Sequence, residues 1–288
     1  MILQYYGLSR DTYIFYIFKD ELHRFDNSVK EISQISSDGI FVSINDNALL
    51  NINSNVQYHL FNADSTPFAS QYNHIQSLAD NGLLLAYDNN NNKNDWLLCN
   101  VLLKNCSVIE QLHSDSTILS NTASISNNGA FIYAIVSKGN NKVLLFLDRR
   151  SQKSVINIVP PVINFNMIKI NKMIVTNQGA LLLQFEDSAK TQMVRSTLLY
   201  SNQFDKWTSG AKLMLYFGLA NYLVNGMFHG DIAISPNGKA IGFYITSSLD
   251  DQFSIDNIPA TAVVSYKLGS EYVPLQSLDD LINTSSKL

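Results

Sequence analysis

Charge is scarce in this chain. Asp, Glu, Lys and Arg make up 15% of its 288 residues, 20 basic against 24 acidic, for a formal net charge of -4. The longest run of adjacent positive charges is Arg149-Arg150. Clustered Lys and Arg that displace counterions from a phosphate backbone are therefore missing, and no nucleic-acid partner is expected. Long apolar runs are missing too. The best, LMLYFGLANYLV from Leu213 to Val224, falls short of a bilayer and is interrupted by Asn221, so no membrane insertion is expected. The opening MILQYYGLSRD lacks the basic start, apolar stretch and small-residue cleavage site of a signal peptide. The expected location is cytoplasmic or effector-secreted, or periplasmic if the chain is processed. Two cysteines, Cys99 and Cys106, are too few for a scaffold built on disulfides. A turn at Lys104-Asn105 would set Cys99 opposite Glu110 and Cys106 opposite Leu103. That separation lies beyond the ~7 Å Cα limit for bridging, so free thiols are expected.

Metal and catalytic spacings are absent as well. The five histidines, His23, His59, His74, His113 and His229, form no His-x-x-x-His pair, and no EF-hand loop is present. Asp250, Asp251 and Asp256, and the pair Asp279-Asp280, read as solvated loop charges. No metal and no cofactor are expected. Gly-x-Ser-x-Gly, phosphate-binding glycine loops and the sialidase-like Ser-x-Asp-x-Gly-x-Thr-Trp box are all lacking, so no catalytic residue is assigned.

What the chain has instead is a repeat. Ser235-Pro236-Asn237-Gly238, in DIAISPNGKAIGFYI, has degraded copies in ISSDGIFVSI from Ile35, LADNGLLLAYD from Leu78, SISNNGAFIYAIV from Ser124 and VTNQGALLLQF from Val175. The glycines of these copies, Gly39, Gly82, Gly129, Gly179 and Gly238, recur at intervals of 43, 47, 50 and 59 residues, the range of propellers and solenoids. Asp38-Gly39, Asn81-Gly82, Asn128-Gly129 and Asn237-Gly238 suit the two positive-φ positions of a type I′ hairpin turn, and Gln178-Gly179 suits them least. Two further strand-like runs follow each hairpin, such as WLLCNVLL from Trp96 with CSVIEQL from Cys106, or TAVVSYKL from Thr261 with YVPLQSL from Tyr272. Four short antiparallel strands per unit make a propeller blade. Helical spacing is confined to short pieces within Leu213 to Val224 and near Leu278 to Ile282.

The expected fold is therefore all-β, a single β-propeller domain over 1–288 with repeats at about 1–31, 32–73, 74–121, 122–172, 173–228 and 229–288. Six blades are expected, with five or seven as alternatives, because Leu8 to Ser28 reads as a shortened first copy with Arg10-Asp11 at its turn. Ser235, Pro236, Asn237, Gly238, Lys239, Ile241 and Phe243 resemble the Ser-Pro-Asp-Gly repeat of WD-repeat-like propellers of the TolB type. Members of that group serve in envelope complexes, as caps on peptidases and as binding platforms. The resemblance implies the architecture and brings no catalytic motif with it.

In such an architecture the loops entering each innermost strand line the mouth of the central channel. Here they are Tyr72-Asn73-His74, Asn121-Thr122, Asn171-Lys172 and His229-Gly230-Asp231. The segment from Leu213 to Phe228 reads as a buried connector or innermost strand, or else as an exposed partner-binding patch. The candidate binding residues are Tyr72, His74, Tyr216, Phe217, Tyr222, His229 and Asp231. Together these features predict a non-enzymatic protein-interaction scaffold with a protein partner, and a peptide or small ligand as a further occupant of the channel mouth. The Asn, Ile and Ser bias points to a bacterial source, with a place in an envelope or secretion-related complex or as a secreted effector. The alternative is a propeller hydrolase or lyase that uses His74, His229 or Asp231 at the channel mouth.

Overall fold

A computed structural model describes residues 2–6, 12–18, 21–24, 32–36, 40–44, 48–52, 54, 56–59, 74–88, 95–103, 105–112, 122–151, 153–156, 158, 160, 163–187, 195–224, 228–246 and 261–288. Packing divides the chain into two compact units, Met1–Asn140 and Asn141–Leu288. In the first, β1 (Ile2–Tyr6), β2 (Thr12–Phe18) and β3 (Glu21–Arg24) form a three-stranded antiparallel sheet. A four-stranded sheet follows, with β4 (Ile32–Ile35), β5 (Phe41–Ile44), β6 (Ala48–Asn51) and β7 (Val56–His59). The next holds β8 (His74–Leu78), β9 (Leu83–Asp88), β10 (Asp95–Asn100) and β11 (Asn105–Val108). A hairpin of β12 (Ala123–Ile125) and β13 (Phe131–Lys138) completes this unit.

In the second unit β14 (Asn141–Asp148) pairs with β15 (Lys153–Ile156). A four-stranded sheet is built from β16 (Ile168–Val175), β17 (Leu181–Asp187), β18 (Arg195–Ser201) and β19 (Lys206–Ser209). Two short helices, α1 (Gly210–Tyr216) and α2 (Ala220–Val224), lead to a three-stranded sheet of β20 (Phe228–Ile234), β21 (Ala240–Thr246) and β22 (Thr261–Lys267). The chain closes on α3 (Leu278–Ser285). Every sheet is a meander in which each strand pairs with its sequence neighbour, and the fold is an all-β propeller of four-stranded antiparallel blades. The expected strand from Tyr272 is not formed. Only an isolated Ser270 to Val273 bridge stands there, since Gly269 turns at φ 74 and Pro274 offers no N–H to a ladder.

The core explains why the strands read as apolar runs rather than clean alternations. Leu181, Leu182 and Leu183 are successive residues of β17 and all are 0% exposed, so both faces of that strand are covered. In the second unit Leu182 and Leu199 pack with Ile232, Ile241 and Phe243 from the next sheet, and with Leu213, Leu278 and Leu281 from α1 and α3. In the first, Phe41 and Leu49 pack with Ile75, Leu84 and Leu97. Buried polar side chains tie successive sheets. The Ser77 hydroxyl accepts the Ile125 N–H at 3.1 Å, Gln184 donates to the Ile232 carbonyl at 3.3 Å, and the Thr197 hydroxyl donates to the Gly230 carbonyl.

The repeated turn has a different geometry from the one expected. Asn81 and Gly82 both have positive φ, but in the copies at Gly129, Gly179 and Gly238 only the glycine does. There the N–H of the glycine bonds the carbonyl of the Ser or Thr three residues before it, which makes a turn closed by a left-handed glycine. The hydroxyl of that Ser or Thr is the reason. Ser126 Oγ accepts the N–H groups of Ala130 and Phe131, Thr176 Oγ1 that of Ala180, and Ser235 Oγ those of Lys239 and Ala240. Ala79 has no hydroxyl, and its copy is the one that takes the tighter turn. Gln178 is thus no weak member, because its position needs no positive φ.

Successive turns are also linked. The N–H of Asp80 donates to the Asn127 carbonyl at 2.7 Å, and that of Asn177 to the Pro236 carbonyl at 2.8 Å. All four stand two residues before the turn glycine. Pro236 accepts in this series and, lacking an N–H, cannot extend it.

Two further expectations are overturned. Cys99 and Cys106 stand directly opposite on β10 and β11, with Cα atoms 4.1 Å apart, and are joined in a disulfide. The expected turn was placed too late. Asn100 Oδ1 accepts the N–H groups of Leu102 and Leu103, so the chain reverses from Asn100 and the register brings the sulfurs together. Asp279 is not a solvated loop charge either. It lies in the first turn of α3, 2% exposed, and accepts a hydrogen bond from the Ser201 hydroxyl.

Candidate functional site

The second unit holds a cavity of about 630 Å³ where β16 and β17 face the last sheet. Its walls come from strand irregularities. β16 shifts register against β17 between Ile170 and Lys172, which sets Asn171 as the extra residue of a bulge. β20 shifts between Phe228 and Ile232, with Gly230 at φ 84. A bulge bends its strand and re-aims the side chains beside it, and here both bulges border one cavity. Asn171-Lys172 and Gly230-Asp231 were expected as loops; they lie inside strands, distorted where the loops were placed.

The donors and acceptors in this cavity are mixed. Asn171 donates its amide to Glu186 Oε1 at 2.8 Å, and Glu186 also pairs at 3.8 Å with Lys169. Lys172 lines the cavity and is exposed. No carboxylate among the described residues pairs with its ammonium. Asp231 lines the opposite wall. Gln184, only 7% exposed, lends its amide nitrogen to Ile232, and no described residue donates to its Oε1. The rest of the lining is small or apolar. Ala233 pairs with Gly242, and Tyr244 with Val263, so these four side-chain positions share one face of the last sheet.

Of the other expected residues, His74 opens β8, His229 stands on β20, and Tyr72 lies outside the described residues. Leu213 to Val224 is helical rather than an innermost strand, and Phe228 opens β20. Leu213 and Met214 are fully buried under α1, and Phe217 stacks on Tyr266 with centroids 4.0 Å apart while meeting Tyr216 edge-on. Tyr216 and Phe217 therefore belong partly to the core. On the outer side Leu215 is 51% exposed, Tyr222 37% and Val224 84%, and no residue of α2 is buried. Burial, with Tyr222 close by, pushes the Tyr266 hydroxyl above its ordinary value. Gln184, Tyr244 and Val263 were missed in the sequence. Gln184 alone carried a signal, as the one polar residue inside LLLQF.

No group of three or more His, Cys, Asp or Glu placed to hold a metal ion occurs among the described residues. No helix among them is long and apolar enough to cross a membrane. No protein-family model matches the chain, and no curated protein does. Solved structures do match in fold. TolB from Acinetobacter baumannii superposes with a TM-score of 0.51 at 9% identity, over 94% of this chain and 58% of its own length. An oligogalacturonate lyase from Vibrio parahaemolyticus gives 0.50 at 9% identity, over 90% of this chain and 71% of its own. The chain has the architecture of TolB-type propellers. At such identities the likeness speaks for fold alone, and this chain spans little more than half the length of the TolB protein.

Proposed function

We propose that the chain is a non-enzymatic protein-interaction module, one subunit of a bacterial envelope or secretion-related assembly or a secreted effector. The observation that carries this reading is the outer side of α1 and α2. Leu215, Tyr222 and Val224 stand exposed there on a segment whose inner residues, Leu213 and Met214, are anchored in the core. Apolar side chains clustered on a rigid base and left in water are what a partner surface covers. Co-purification tests it, with the tagged protein taken from its source cell and co-eluting proteins identified by mass spectrometry. Stoichiometric partners are expected, and Val224→Asp, which touches no core residue, should release them. A monomer with no partner, or partners indifferent to Val224→Asp, would overturn the reading and favour the rival hydrolase or lyase.

A further inference from the structure

The cavity bordered by the bulges of β16 and β20 is separate from the α1 and α2 surface, and one side of it is held firmly. Lys172 and Gln184 are direct cross-strand partners, and Gln184 in turn stands opposite Thr197, so the three form one row across β16, β17 and β18. Gln184 and Thr197 donate to the Ile232 and Gly230 carbonyls, which ties β20 to this row. Three groups beside it stay open. The Lys172 ammonium pairs with no carboxylate among the described residues. Gln184, 7% exposed, keeps its Oε1 without a donor among them, and Asn171 gives its amide hydrogen to Glu186 and keeps its Oδ1. Asp231 adds no open group, because it is already engaged within the protein. Tyr244 and Val263, cross-strand partners 40% and 66% exposed, supply a ring and an apolar surface on the last sheet.

These groups select among ligand chemistries. An apolar compound would leave the ammonium and both amide oxygens without partners, which is unfavourable. A cation would meet Lys172. An anion would satisfy Lys172 but bring no donor to the amide oxygens, and would enter beside the Asp231 carboxylate. A hydroxyl both donates and accepts. Neighbouring hydroxyls on one edge of a sugar ring answer the ammonium and the amide oxygens together, while the C–H face of such a ring suits the electron-rich face of Tyr244. The volume of about 630 Å³ sits in the range of small-molecule pockets and exceeds what one sugar ring fills.

We infer that this cavity binds a neutral disaccharide. Its hydroxyl edge meets Lys172, Gln184 Oε1 and Asn171 Oδ1, and a ring face lies on Tyr244 and Val263.

Calorimetric titration with maltose, lactose, cellobiose and N,N′-diacetylchitobiose tests this, with acetate and inorganic phosphate as anionic probes. At least one disaccharide should bind, and neither anion should displace it. Tyr244→Ala and Lys172→Met, both at exposed positions, should each weaken that binding about tenfold, with circular dichroism confirming that both variants fold. Tyr244→Phe keeps the ring face and should retain the affinity. Binding by none of the four sugars, displacement by either anion, or unchanged affinity in Tyr244→Ala or Lys172→Met would overturn the inference. So would a loss in Tyr244→Phe equal to that in Tyr244→Ala. None of these results bears on partners lost through Val224→Asp, so the two proposals fail independently.

Discussion

Asp279 shows how far one residue can depart from its sequence context. Burial holds its carboxyl above the ordinary value; the Ser201 hydroxyl pulls it down and neighbouring Asp280 pushes it up. The folded protein thus holds this proton more tightly than the unfolded chain does. The resulting stability is fully present below the ordinary carboxylate range and is lost as pH rises through the raised value. Asp279→Asn keeps an oxygen to accept from Ser201 and has no proton to lose. Between about pH 4 and about pH 7 the melting temperature of the wild type should fall relative to the variant. Parallel curves across that range would show that the Asp279 proton does not couple to folding. The sequence placed this residue beside Asp280 and suggested two solvated charges. It could not show that Ser201, 78 positions earlier, lies over the first turn of α3.

At the scale of elements, the hairpin turns were legible as turns and misjudged in type, and the cause is one hydroxyl. The Ser or Thr three residues before Gly129, Gly179 and Gly238 accepts the following N–H groups and favours a turn with a single left-handed residue, which a reading based on the Asn-Gly dipeptide overlooks. The β10 to β11 hairpin was misjudged for a similar reason, with Asn100 starting the reversal earlier than Lys104-Asn105. The disulfide it permits links Cys99, 1% exposed, to Cys106 on a strand that is mostly exposed. It closes a loop with a sequence separation of only 7, so its effect belongs at the lower end of the usual range, about 2 kcal/mol. Protein purified without reductant should resist alkylation at both cysteines and weigh two hydrogens less than the reduced chain. Dithiothreitol should lower its denaturation midpoint by a corresponding amount. Two freely alkylated thiols in the untreated folded protein would contradict the cross-strand pairing.

For the whole molecule, the spacing of the turn glycines was enough to read the architecture, because a blade is a local meander and each copy writes its own turn and strands. The cavity was only half legible. Lys172 and Asp231 could be placed near strand entries, but Gln184, Tyr244 and Val263 reach it through cross-strand register and the packing of one sheet on the next, neither of which is written locally. The role of α3 was hidden in the same way. Its helical spacing was visible, yet its contacts are with segments far back in the chain. Leu278, Leu281, Ile282 and Ser285 form its buried stripe, the Ser285 hydroxyl meets Thr208 at 3.0 Å, and the Lys212 ammonium reaches the Ser286 carbonyl at 3.5 Å. This helix packs on β18 and β19, and it seals the core shared by β18, β20, β21 and α1. Losing one such Leu or Ile typically costs about 2–5 kcal/mol, so losing three together is comparable to the whole stability of a domain. A chain ending at Ser277 should therefore lose amide-exchange protection in β18, β19 and β21. If those strands stayed protected, the sheets would be holding this core by themselves and α3 would be an appendage rather than its seal.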